Sequence, residues 1–155
     1  MSSAPEIPDA NRSMRLIGQL NRTFARLVDA PLRELGFAMG QLPVLVTLKH
    51  TGSASQIELA RIAQVEQPSM AQLLQRMERD GLVQRVPDPS DGRSRLISLT
   101  EQASQQLPKA RGVMDAVCEK ALAGLTDEER ELLLGLLLKI DGNLNRALEE
   151  LVASE

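Results

Sequence analysis

A chain of 155 residues is one domain by size, or one domain with an elongated appendage. Two Phe and no Tyr or Trp leave the core to Leu, Val, Ile, Ala and Met, and deny the chain the stacking platforms that single-stranded nucleic acid and most carbohydrate sites need. The net charge of −3 is unevenly spread: residues 101–155 carry eleven acids against six bases, whereas residues 1–60 and 61–100 each carry five acids and six bases. A duplex-binding surface would therefore be a local patch making few phosphate contacts. Cys118 is the only cysteine, so no intrachain disulfide forms and a reducing compartment fits. With no signal peptide and no long apolar span, the expectation is a cytoplasmic protein without a membrane partner.

Residues 1–10 are Ser-, Ala- and Pro-rich at the start and are expected to be a flexible arm. From about Asn11 to Leu35, Ile17, Leu20, Phe24, Leu27, Val28 and Leu32 mark one helical stripe, with arginines on the rest of the surface. Pro31 is expected to kink or divide this helix, and Gly36 to cap it. Gln41–His50 reads as a second helix with Pro43 in its first turn. His50, the single histidine, suits a helix C-terminus better than a metal site. Thr51–Ala54 reads as a loop.

Ser55 and Glu58 form a Ser-x-x-Glu capping box, after which Ile57, Leu59, Ala60 and Ile62–Ala63 give an apolar face. Val65–Glu66 is short enough for the turn of a helix-turn-helix. Pro68 suits the first position of the next helix, Met70, Leu73, Leu74 and Met77 its buried side, and Gly81 its end. Gln67, Pro68, Ser69, Gln72, Gln75, Arg76 and Arg79 occupy the other side. Ser, Gln and Arg hydrogen-bond base edges and phosphates, although a polar helix face taken alone is more often a solvated surface.

The hairpin that follows shifts that balance. Leu82, Val83, Arg85 and Val86 form a short strand, Pro87–Gly92 is a turn by composition, and Arg95, Ile97 and Leu99 alternate on the return strand. Arg93 and Arg95 thus sit at or beside an exposed tip, and arginine suits a narrow, electronegative minor groove. Asp91 could orient Arg93 by a charge-assisted bond; the competing reading is a turn aspartate with charged edge-strand residues that discourage aggregation. Two helices and a β-hairpin in this order make a winged helix-turn-helix.

Asp91-Gly92-Arg93-Ser94-Arg95, followed by Leu96-Ile97-Ser98-Leu99-Thr100-Glu101, resembles the wing signature of the MarR family (multiple antibiotic resistance regulators). Met77-Glu78-Arg79-Asp80-Gly81-Leu82-Val83-Gln84-Arg85 is similar to that family's recognition-helix exit, and Gln56-Ile57-Glu58-Leu59-Ala60 to its preceding helix. The flanking helices and the length also fit, so the resemblance spans nearly the whole chain. It implies a dimeric transcription regulator, most simply a repressor, on a palindromic operator. Arg93 would enter the minor groove, with Pro68, Ser69, Gln72 and Arg76 in the major groove. It further implies a small effector, often anionic or phenolic, between dimer body and winged region. One departure is that many members have Gly soon after the Leu-Thr-Glu, whereas Gln102-Ala103-Ser104 runs straight on here, which implies a smoother helix start.

Beyond the wing, Glu101–Leu125 reads as a long helix that Pro108 and Gly112 are expected to bend. Cys118 lies among Val117 and Ala121 and is expected to be a small buried hydrophobe; Glu119 beside it disfavours a reactive thiolate. Thr126-Asp127-Glu128-Glu129 is a second capping box. The last helix carries leucines on more than one face, so a second copy of the chain is expected to cover the surplus.

The fold class is therefore mainly α with a small β-hairpin wing. Residues 37–100 form the winged helix-turn-helix, and residues 11–36 and 101–155 the dimerisation region. The residues expected at DNA are Ser55, Gln56, Gln67, Pro68, Ser69, Gln72, Arg76, Asp91, Arg93 and Arg95. Those expected between subunits are Ile17, Leu20, Leu133, Leu137, Ile140, Leu144, Leu148 and Leu151. No metal or cofactor is expected, and no Ser/His/Asp set or Gly-rich phosphate loop supports an enzyme. The competing reading is a helical protein-interaction module with only weak, sequence-independent DNA affinity.

Overall fold

The computed structural model describes residues 10–154, so residues 1–9 of the expected arm lie outside it. In order, the elements are α1 (Ala10–Glu34), a 3-10 turn (Met39–Gln41), α2 (Leu42–Thr51), β1 (Ser53–Ala54), α3 (Gln56–Ile62), α4 (Gln67–Arg79), β2 (Val83–Pro87), β3 (Arg95–Leu99), α5 (Glu101–Ala121) and α6 (Asp127–Ala153). The chain divides into two compact units between Val117 and Cys118.

In the first unit the core joins the end of α1 to the winged region. Val28 and Leu32 of α1, Leu45 and Leu48 of α2, Leu59 of α3, Met70, Leu74 and Met77 of α4, Ile97 of β3 and Leu107 of α5 are buried together. Each such side chain contributes about 1.5–3 kcal/mol on leaving water. α3 has only two turns and buries Leu59 and Ala60 alone. Ile57, expected on the inner face, is 64% exposed, and Ile62 is exposed as well.

Pro31 does not divide α1. It stands close to the helix end, where the missing N–H removes a single bond, and the buried Val28 and Leu32 on either side hold the backbone in register. α5 likewise runs through Pro108 and Gly112. Ser53 and Ala54, expected as loop, form a third strand that pairs antiparallel with β3 (Ser53 with Ser98, Ala54 with Ile97), giving the sheet order β1-β3-β2.

The second unit is the end of α5 with α6. Thr126 caps α6 by the expected reciprocal box: its hydroxyl accepts from Glu129 N–H at 3.2 Å, and Glu129 Oε2 accepts from Thr126 N–H at 2.8 Å. The Arg130 guanidinium folds back on the turn, donating to both Glu119 carboxylate oxygens (3.5 and 3.4 Å) and to Leu122 O (3.4 Å). α6 has no buried residue; Leu132, Leu134, Leu138 and Leu151 are each about three-fifths exposed. Cys118, expected to be buried, is half-buried, and its neighbour Ala121 is exposed.

Candidate nucleic-acid interface

α4 is amphipathic in the plainest way. Met70, Leu74 and Met77 are buried, while Gln67, Pro68, Ser69, Gln72, Gln75, Arg76 and Arg79 are exposed on the other side. Pro68 takes the second helical position, after Gln67, not the first; either is harmless, because first-turn amides have no intrahelical partner. Before it, Ser55 and Gln56 are half-buried at the start of α3. Ser55 Oγ accepts from Glu58 N–H at 3.2 Å, and Glu58 Oε2 accepts from Ser55 N–H at 2.7 Å. The Ser55 amide and hydroxyl hold the Glu58 carboxyl below its ordinary range.

The wing is the β2–β3 hairpin, in register from Val83 with Leu99 to Pro87 with Arg95. Two aspartates shape its tip. Asp88 Oδ1 accepts from the Ser90 amide (2.9 Å) and hydroxyl (2.7 Å), which lowers the Asp88 pKa. Asp91 Oδ1 accepts from the Arg93 backbone N–H at 3.0 Å. That bond corrects the expected charge-assisted contact: Asp91 folds the turn that presents Arg93 and does not hold its guanidinium. An aspartate two residues before an amide closes such a turn locally, at no cost in side-chain reach. Arg93 and Arg95 are exposed, and among the described residues neither is in an ion pair.

Two contacts that sequence reasoning did not single out tie the wing to the helix. Arg85 of β2 meets Glu78 of α4 at 3.3 Å. Thr100, just after β3, donates its hydroxyl to Gly81 O at 2.7 Å and accepts from Ala103 N–H at 3.2 Å. One side chain thus holds the end of α4 and the first turn of α5. Neither contact leaves a periodic signal, since both join residues across a helix end or a hairpin. Arg79 pairs with its neighbour Asp80 at 3.6 Å.

A cleft of about 780 Å³ lies between α2 and α5. Leu42, Val46, Ile62, Leu107 and Met114 give it apolar walls; Lys49, His50 and Arg111 add cationic or titratable groups. His50, in the last turn of α2 as expected, is exposed there. Lys49 Nζ donates to Ser104 Oγ at 2.9 Å, linking the two helices.

A model of the MarR family matches residues 37–94, from the end of the α1–α2 connection to the wing tip. The solved structure of a probable transcriptional regulator from Pseudomonas aeruginosa is 31% identical, aligns over 81% of this chain and 93% of its own, and superposes with a TM-score of 0.70. The chain belongs to the MarR family of transcription regulators. A variant of MarR from E. coli, solved in complex with operator DNA, is 25% identical, with a TM-score of 0.74 over 85% of this chain and 98% of its own. MepR from S. aureus, solved as a DNA complex, has a TM-score of 0.76 over 84% of this chain and 96% of its own; at 22% identity it speaks for the fold alone. The mainly helical architecture with a small antiparallel sheet is that of these MarR-family structures. The family match contains every expected DNA residue except Arg95, one position past its end.

Proposed function

We propose that this MarR-family chain works as a homodimer on a palindromic operator in the cytoplasm, most simply as a repressor. α4 lies in the major groove and Arg93 enters the adjacent minor groove. The observation that carries this reading is the exposed Ser, Gln and Arg face of α4 beside a wing with two arginines that are in no ion pair among the described residues, the helix and wing being clamped together through Arg85–Glu78 and Thr100–Gly81. Ser55, Gln56 and Gln67 lie at helix starts, where phosphates are met. Residues 11–36 and 101–155 supply the dimer body. Two recognition helices must then reach successive major grooves, about 34 Å apart.

The deciding measurement is an anisotropy titration with a selected operator. Arg93→Ala is expected to weaken binding by about 1–3 kcal/mol; unchanged affinity would sink the wing assignment. Repeating the wild-type titration over a range of salt separates this function from a protein-interaction module, since phosphate contacts give a linear log–log fall in binding.

The cleft between α2 and α5 supports a ligand-responsive form of the same function. Apolar walls with Lys49, His50 and Arg111 suit a small anionic or phenolic effector. Such a molecule would alter the spacing of the two reading heads.

A further inference from the structure

We propose that Gln72 and Arg76 read two specific bases in each operator half-site: an adenine for Gln72 and a guanine for Arg76, on neighbouring base pairs. This rests on α4 lying in the major groove and adds to it the identity and spacing of what is read. The two side chains are exposed and stand four residues apart on the face opposite Met70, Leu74 and Met77. Four residues advance a helix by about 6 Å. A helix in the major groove meets about one base pair for every three to four residues. Side chains four residues apart therefore set their tips against neighbouring base pairs.

Chemistry assigns the bases. A glutamine amide offers one donor and one acceptor, matching adenine N6 and N7. A guanidinium offers two parallel donors, matching guanine O6 and N7. Charge pairing singles out Arg76 among the neighbouring arginines. Arg79 is held by Asp80 at 3.6 Å and Arg85 by Glu78 at 3.3 Å. Arg76 is in no ion pair among the described residues, so its fork is free to meet a base edge. Ser69, on the same flank one turn earlier, has a hydroxyl that bonds either kind of group and so adds contact without choice.

The test is selection of duplexes from a random pool by wild type, Gln72→Ala and Arg76→Ala, followed by titration of single-base variants of the enriched operator. Both side chains are exposed, and thermal melts confirm that the variants fold. The wild-type motif is expected to contain A and G at this spacing in each half. Changing either base should weaken wild-type binding roughly fivefold to a hundredfold. For Arg76→Ala the guanine penalty should vanish while the adenine penalty persists, and the reverse should hold for Gln72→Ala. The proposal is overturned if the motif lacks the A/G pair. It is also overturned if Arg76→Ala keeps every base preference and merely lowers affinity and salt slope, which is the mark of a phosphate contact. A wild type that enriches no twofold motif would defeat the operator reading itself, an outcome distinct from either of these.

Discussion

Glu58 and Asp88 are expected to make the winged region sensitive to acid. Each carboxylate accepts hydrogen bonds in the folded chain, Glu58 from the Ser55 amide and Asp88 from the Ser90 amide and hydroxyl, and each pKa is lowered below its ordinary value of 4.5 or 3.8. A depressed folded pKa means that the stabilisation is complete above the unfolded pKa and is lost as pH falls through the folded one. Stability in urea should therefore be flat from neutral pH down to about 5 and decline below about 4.5, first through Glu58 and then through Asp88. Ser55→Ala removes the hydroxyl half of the box and should cost about 0.5–2 kcal/mol at neutral pH. The same variant should lessen the decline around pH 4. Urea midpoints between pH 3 and 7 measure both effects, and an acid slope unchanged in a Glu58→Gln variant would clear Glu58 of the role. The Arg85–Glu78 pair is a different case. Both side chains are about two-fifths exposed, and such pairs contribute about 0–1 kcal/mol, so its work is to aim the wing and not to hold the fold.

At the scale of elements, the exit of α4 sets where the wing leaves the recognition helix. Gly81 N–H donates to Glu78 O at 3.1 Å and Leu82 N–H to Met77 O at 2.9 Å, with Gly81 at φ +72. A side chain added at Gly81 would touch nothing within 4 Å, so the penalty of Gly81→Ala is that of the backbone alone, about 1–2 kcal/mol. Chemical denaturation should show that loss, and an unchanged midpoint would mean that the turn relaxes out of the left-handed region. This exit was legible beforehand because a glycine followed an apolar helix stripe. The matching turn between α3 and α4 was not: Val65 N–H donates to Ala60 O at 3.0 Å in the same manner, but the left-handed residue is Gln64 at φ +53. Glutamine gives no warning of positive φ. The capping boxes at Ser55 and Thr126, the buried stripe of α4 and the hairpin were all readable, since each rests on neighbours in sequence. β1 was not, because two residues are too few to alternate and its partner lies more than forty positions on. The clamp by Thr100 and the true bond of Asp91 were hidden for a related reason: composition says which groups can bond, and only the folded turn says to which atom.

For the whole molecule, we propose that the leucines of α6 set how two reading heads come to share one operator. Leu133, Leu137, Ile140, Leu144, Leu148 and Leu151 recur at spacings of three and four along one side of the helix; Leu137 and Leu144 are two-fifths and one-half exposed in the single chain. Soluble proteins seldom leave so long an apolar run against water, and a twofold interface would cover it with the same run from a second copy. The exposed Leu20 and half-buried Ile17 of α1 are likewise proposed to meet the second copy. Burying what remains exposed of Leu137 and Leu144 contributes about 1.5–3 kcal/mol per chain, and a carboxylate in the place of each would add an uncompensated charge. Leu137→Glu with Leu144→Glu is therefore expected to turn a dimer, twice the 17.0 kDa chain mass, into a monomer in sedimentation equilibrium. The unit that holds the winged region has its own buried core, so the monomer should keep its helical circular dichroism and its weak affinity for an isolated half-site. Affinity for the full palindrome should collapse to that half-site value, because the second contact is no longer made at the high effective concentration a dimer provides. A double variant that still sediments at twice the chain mass would place the twofold axis elsewhere than on α6.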